Sequence, residues 1–176
     1  MADSLDKSSN TLESISLIEA NIKNLKDEVI NSLLETAQLA QTRILQIQEE
    51  TIAKIHELED DDTSDARKYI TCAKDEGCKR MKQVWHLSRV GLHNLSDESN
   101  FLIKKLMNSV KDYNSQLSTP IEQMVDDILK ATGYKAYDLV KVLKKRTKEL
   151  KKELEKTSTA AKKFQKAKQK KAVKYK

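Results

Sequence analysis

Residues 11–59 read TLESISLIEANIKNLKDEVINSLLETAQLAQTRILQIQEETIAKIHELE. Apolar or small residues recur in this stretch every eleven positions. Ile22, Leu33, Ile44 and Ile55 form one row, Leu25, Thr36, Ile47 and Leu58 a second, and Ile18, Val29, Ala40 and Thr51 a third. Eleven residues over three turns is about 3.67 per turn, close to the free α-helix, so the stripe stays on one side of a nearly straight helix with little supercoil or a slight right-handed one. Neither Gly nor Pro interrupts Thr11 to Glu59, and at about 1.5 Å per residue the helix would extend roughly 70 Å. An apolar stripe of that length needs partners along it.

The stripe ends at Glu59-Asp60-Asp61-Asp62, acids that a helix C-terminus disfavours. Thr63 or Ser64 is then the expected N-cap of a helix through Asp65, Tyr69 and Ile70. The segment Cys72 to Cys78, with Gly77, predicts an interruption before Met81, Val84, Trp85 and Leu87 resume the pattern. A second break is expected at Gly91-Leu92-His93-Asn94, with Ser96 capping a segment that carries Ile103, Leu106, Val110, Tyr113 and Leu117 as one stripe. Thr119-Pro120-Ile121-Glu122 has the form of a capping box with Pro at N1 and predicts a new helix. That helix buries Ile121, Met124, Val125 and Ile128, ends or bends at Gly133, and resumes through Leu139, Val142, Leu143, Leu150 and Leu154. Beyond Lys156 the stripe thins to Ala160, Phe164 and Ala167, so exposed or frayed last turns are expected.

Three Gly and one Pro in 176 residues leave too little punctuation for a sheet protein. The expected class is all-α: an elongated antiparallel helical bundle with one very long N-terminal helix, Thr119 to Lys156 as another wall, and a seam thin enough for a second copy to complete as a homodimer. The expected organisation is a flexible N-terminus over 1–10, one bundle domain over 11–156, and a Lys-rich helical or frayed tail over 157–176. No run approaches the roughly 18 to 20 apolar residues that cross a bilayer, and Met1-Ala2-Asp3-Ser4 starts no signal peptide. A secreted form would therefore have lost its leader already.

Charge is distributed unevenly. Met1 to Ser64 carries five Lys/Arg against fourteen Asp/Glu, whereas Tyr134 to Lys176 carries seventeen against four. Either an acidic helix packs on a basic one, or the basic end seeks an anionic partner. Lys141, Lys144, Lys145, Lys148, Lys151 and Lys152 flank Val142, Leu143 and Leu150, and Lys162, Lys163 and Lys166 continue the series. The bland reading is a solvated face partly neutralised by the acidic first helix. The functional one is a footprint for an anionic glycan, an anionic membrane or nucleic acid. Nucleic acid is the least favoured, because Arg146 is the one Arg of the region and lysine lacks the bidentate fork of base readout.

Catalytic constellations are not found. His56, His86 and His93 are scattered, no Ser lies in a nucleophile elbow, and no Gly-rich loop could cradle a phosphate, so no enzyme activity and no cofactor are expected. Asp60, Asp61 and Asp62 lack the alternation of an EF-hand and read as a solvated corner. Cys72 and Cys78, with His86 and His93 nearby, lack the paired spacing of a zinc site. The two cysteines point to opposite sides of a continuous helix, but a break at Gly77 would bring them within disulfide reach. An intrachain disulfide is the expectation, against free cytosolic thiols or an intermolecular pair, and it would place the chain in an oxidising compartment. Asn94-Leu95-Ser96 is the one glycosylation sequon. Trp85, the single tryptophan, is read as a core residue, with a ligand-lining role as the minority reading.

A small all-helical chain rich in Asn, Ser, Lys and Leu, with two cysteines near a helical bend, a lone sequon and a Lys-rich end, resembles the secreted helical salivary proteins of blood-feeding insects, the group that includes the mosquito neutrophil-stimulating factor. The likeness covers composition and helical organisation and carries over no functional residue. It implies a secreted, non-enzymatic effector acting on host immune cells by binding a host protein or anionic glycan. An amphipathic-helix binder of lipid surfaces and a cytosolic coiled-coil scaffold are the alternatives, the second following if the cysteines are free.

Overall fold

The sequence folds into three helices packed against one another: α1 (Ala2–Glu59), α2 (Ala66–Tyr113) and α3 (Ser115–Lys174), with no strand among the described residues. The computed structural model describes residues 2–113 and 115–174, and describes side chains outside residues 2–12, 15, 113 and 115–120. The eleven-residue rows become the buried face of α1. Ile22, Leu33, Ile44 and Ile55 are each at most 1% exposed, and Val29, Ala40, Ile47 and Thr51 are buried beside them.

The chain forms two compact units: Met1–Thr36 with Val90–Val140, and Ala37–Arg89 with Lys141–Lys176. Each takes a part of all three helices. In the first, Ile22 of α1 meets Ile103, Met107 and Val110 of α2 and Ile121, Val125 and Ile128 of α3. In the second, Ile44 and Ile47 meet Met81, Leu150 and Leu154, with Trp85, Val84 and Cys78 packed against them. A neighbouring cluster joins Ile55, Ile70 and Ala161.

The expected breaks at Gly77, Gly91 and Gly133 do not occur. α2 and α3 run through all three, and none of the glycines adopts a positive φ. A helical glycine costs about 1 kcal/mol relative to alanine, which is small beside the burial of Met81, Leu92 and Ala136 on the flanking turns. Gly77 has a different purpose: a β-carbon there would overlap the Thr51 side chain of α1, whereas nothing lies near one built on Gly91 or Gly133. Ser96, expected as a cap, is a buried residue within α2. The buried hydroxyls of three threonines along the seam are satisfied inside their own helices, Thr51 donating to the Ile47 carbonyl, Thr132 to Ile128 and Thr147 to Leu143, whereas the buried Ser158 hydroxyl has no partner among the described residues.

Helix boundaries also move. α3 begins at Ser115, ahead of the expected N-cap Thr119; the side chains of Thr119 and Pro120 lie outside the described residues, as do those of Tyr113 and Leu117. α2 begins at Ala66, and the Asp65 carbonyl, rather than Thr63 or Ser64, accepts the first helical bond, from Tyr69 N. α1 starts at Ala2, within the segment expected to be a flexible N-terminus.

Past Lys156 the helix stays packed as far as Gln165, while its last described turn, Lys170 to Lys174, is exposed as expected. Ser158, Ala161 and Gln165 are at most 2% exposed, while Phe164 is 53% exposed. Gln165 explains the stability of the acidic corner. Its amide nitrogen donates to the carbonyls of Leu58 and Glu59 at the end of α1 and of Asp61 just beyond it, the Leu58 carbonyl also accepting from Asp61 N. Lys168 meets Asp62 at 2.7 Å, and the hydrogen bond holds its ammonium above the ordinary lysine range, with the charges of Asp60 and Asp61 adding to the effect.

Candidate anion-binding face

The second unit presents a basic face assembled from two helices. From α3 come the nine lysines read from the sequence: Lys141, Lys144, Lys145, Lys148, Lys152, Lys163 and Lys166 are exposed and Lys151 and Lys162 half-buried. None of the nine is in an ion pair among the described residues; the ion-paired cations are Lys54, Lys74, Arg80, Lys111, Arg146 and Lys168, with His56 against Glu59. The acids of the same stretch are engaged elsewhere. Glu149 pairs with Arg146, Glu153 accepts from Gln48 of α1 at 2.6 Å, and Glu155 pairs with Lys74 of α2. The expected neutralisation by the acidic half is therefore confined, among the described ion pairs of α3 with its acids, to Lys168 and Asp62.

The other half of the face comes from α2, and sequence reasoning misses it. From Gly77 to Arg89 this helix holds no carboxylate and carries Lys79, Arg80, Lys82 and Arg89. That acid-free interval is the signal a sequence reading could use. Trp85 sits where the two helices meet: its body packs on the Ile44–Met81–Leu150 core, Arg89 Cζ is 5.3 Å from the ring centroid and Lys144 Nζ 5.7 Å. Its indole Nε1, closed off from solvent, has no hydrogen-bond partner among the described residues. The His86 ring lies 4.6 Å from Trp85, with planes at 57°. Desolvation, then the charges of Arg89, Lys82 and Lys151, hold the His86 imidazole below its ordinary pKa.

The disulfide expected between Cys72 and Cys78 is not formed; both thiols are free. The reason is the unbroken helix. Six residues along α2 separate the two by about 9 Å of rise and place them on different faces, beyond the reach of a disulfide. Cys72 is exposed and lines a groove of about 630 Å³ between α1 and α2, with Thr51, Leu58, Tyr69, Ala73 and Gly77. Cys78 is half-buried, and burial pushes its thiol pKa up, against the opposing charges of Lys151 and Lys74. Asn94 is exposed but lies inside continuous α2 instead of at a bend.

Among the described residues no cluster of His, Cys, Asp and Glu could hold a metal ion, and no helix is long and apolar enough to cross a membrane. No protein family, curated protein or solved structure matches the chain.

Proposed function

We propose that this chain is a non-enzymatic interaction protein, an antiparallel three-helix bundle whose second unit offers the α2/α3 basic face to a linear sulfated glycan. One observation carries the reading: nine lysines of α3 stand free of ion pairs while Glu149, Glu153 and Glu155, the acids among them, are engaged elsewhere. Unneutralised like charge is unfavourable in the free protein and becomes favourable when a polyanion supplies the counter-charge. The antiparallel arrangement draws support from the cores of the second unit, where Ile55 clusters with Ile70 and the earlier Ile47 with the later Met81.

The same geometry ranks the anionic partners. Lys141 to Lys166 spans about 38 Å of helix at 1.5 Å per residue, a continuous row suited to a chain with regularly spaced sulfates. An amphipathic membrane binder needs an apolar face to insert, but Leu143, Leu150, Leu154 and Ala161 of α3 are already buried in the bundle. Base readout favours arginine, and Arg146 is tied to Glu149. A secreted effector that engages the glycan coat of host immune cells joins this surface to the resemblance to insect salivary proteins. The free cysteines remove the argument for an oxidising compartment without supplying one for the cytosol.

Heparin affinity chromatography and calorimetry with heparin-derived oligosaccharides test the proposal. Wild-type protein should bind saturably, and replacing Lys144, Lys145, Lys148, Lys151 and Lys152 by Ala should weaken binding by at least tenfold. Elution at low salt with no saturable heat would overturn the glycan reading. Opening of the bundle on anionic vesicles, with loss of its core packing at constant helicity, would replace it with the lipid one.

A further inference from the structure

One point on the basic face differs from the rest. Around Trp85 converge Arg89 from α2 and Lys144 from α3, with His86 against the indole. Arg89 and Lys144 approach the ring itself; Lys82 and Lys151 act on His86 through their charge, together with Arg89. None of the four cations has a carboxylate partner among the described residues. The charged groups that act on His86 are thus all cations, from its own helix and from α3, and α1 contributes none. Elsewhere in the second unit a packed cation has its acid: Lys74 has Asp75 and Glu155, and Arg80 has Glu50. Here Lys82, Arg89 and Lys144 stand exposed and Lys151 half-buried, open to an acceptor from solvent.

Such a cluster is stable because the indole face and solvent offset part of the repulsion, and it is completed by an anion. We propose that the Trp85 cluster is a subsite for one tetrahedral oxyanion, a sulfate ester group of the glycan, and that His86 takes up a proton from solvent when the anion is seated. The identity of the ligand rests on the glycan reading above; the subsite itself rests on the cluster. An anion about 4 to 6 Å from an imidazole favours its charged form. Seating the sulfate therefore opposes the influence of Arg89, Lys82 and Lys151 on His86, and binding and protonation strengthen each other. The lysines farther along α3, Lys162 and Lys163 among them, hold the polymer by charge alone and select no particular group.

Inorganic sulfate titrated into the full-length protein, with sodium chloride holding ionic strength constant, tests the subsite directly. Trp85 is the only tryptophan, so fluorescence reports on it alone, and NMR titration follows His86. The expected result is a saturable fluorescence change, a rise in the His86 pKa, and several-fold tighter binding at pH 5.5 than at pH 7.5. Linkage is reciprocal, so whatever factor sulfate adds to the proton affinity of His86, the proton adds to the affinity for sulfate. The pair Arg89→Ala with Lys144→Ala should abolish the change, and the pair Lys162→Ala with Lys163→Ala should leave it intact. His86→Gln should keep binding at pH 7.5 and lose the pH dependence. A change reproduced by chloride, or lost equally in both double variants, or a His86 titration that sulfate does not move, would overturn the subsite. Saturable sulfate binding by a protein that heparin fails to retain would overturn the glycan reading and leave the subsite standing.

Discussion

Gly77 of α2 faces Thr51 of α1 so closely that a β-carbon at Gly77 would overlap the Thr51 hydroxyl and stand 2.6 Å from its Cγ2. Thr51 cannot swing aside without cost, because it is buried and its hydroxyl donates to the Ile47 carbonyl at 2.7 Å. Gly77→Ala therefore sets two effects against each other. Alanine gains about 1 kcal/mol in helix propensity, while overpacking costs about 1 to 3 kcal/mol. A net destabilisation of about 1 kcal/mol is expected in urea unfolding. Adding Thr51→Ala should recover most of it, giving a coupling between the two sites that a simple propensity effect would not show.

Gln165 predicts a second stability effect. Removing its amide in Gln165→Ala leaves the carbonyls of Glu59 and Asp61 without that donor and the Leu58 carbonyl with Asp61 N–H alone, a loss of about 1 kcal/mol for half-buried acceptors. Gln165→Glu should be worse, since it aims a carboxylate at three carbonyl oxygens beside Asp60, Asp61 and Asp62. Amide exchange should quicken first at the α1–α2 turn in either variant. Unchanged exchange there would refute the capping role.

These two contacts show where the sequence is legible and where it is not. The rows of Ile22, Leu33, Ile44 and Ile55 encode burial by periodicity, and all four are buried. The row of Leu154, Ser158, Ala161 and Gln165 is buried as well, but its Ser and Gln are polar and break the apolar pattern, so periodicity points instead to Ala160 and Phe164. Gly77 reads as a break because a single chain carries no sign of a neighbouring helix; its meaning lies in Thr51, 26 positions earlier. The expected disulfide depends on that same break. Of the basic face, the lysines of α3 are plain in the composition, whereas Lys82, His86 and Arg89 become part of it only when α2 is laid beside α3.

Free thiols make a chemical prediction. Intact mass after alkylation of native protein should show two adducts, with Cys72 modified before Cys78. Cys72 is exposed, whereas Cys78 is half-buried and its raised pKa leaves less thiolate at neutral pH. Raising the pH should narrow the difference. A mass with no adduct and two hydrogens missing would mean that α2 opens at Gly77 after all.

The environment of His86 fixes the sign of a pH effect on stability. Its unfolded pKa is about 6.5, and in the fold desolvation with Arg89, Lys82 and Lys151 lowers it. Between those two values the unfolded chain binds more protons than the folded one, so stability rises with pH across that window. The contribution is present above about 6.5 and is lost as pH falls through the folded value. Thermal melts of wild type and His86→Gln from pH 5 to 7.5 should thus diverge at the acid end, the wild type losing more. Adding sulfate should narrow the divergence, because an anion in the Trp85 cluster opposes the charges of Arg89, Lys82 and Lys151 and raises the His86 pKa back toward its unfolded value. That narrowing should vanish when Arg89 and Lys144 are replaced by Ala. If sulfate shifts both proteins equally at every pH, His86 takes no part in holding it.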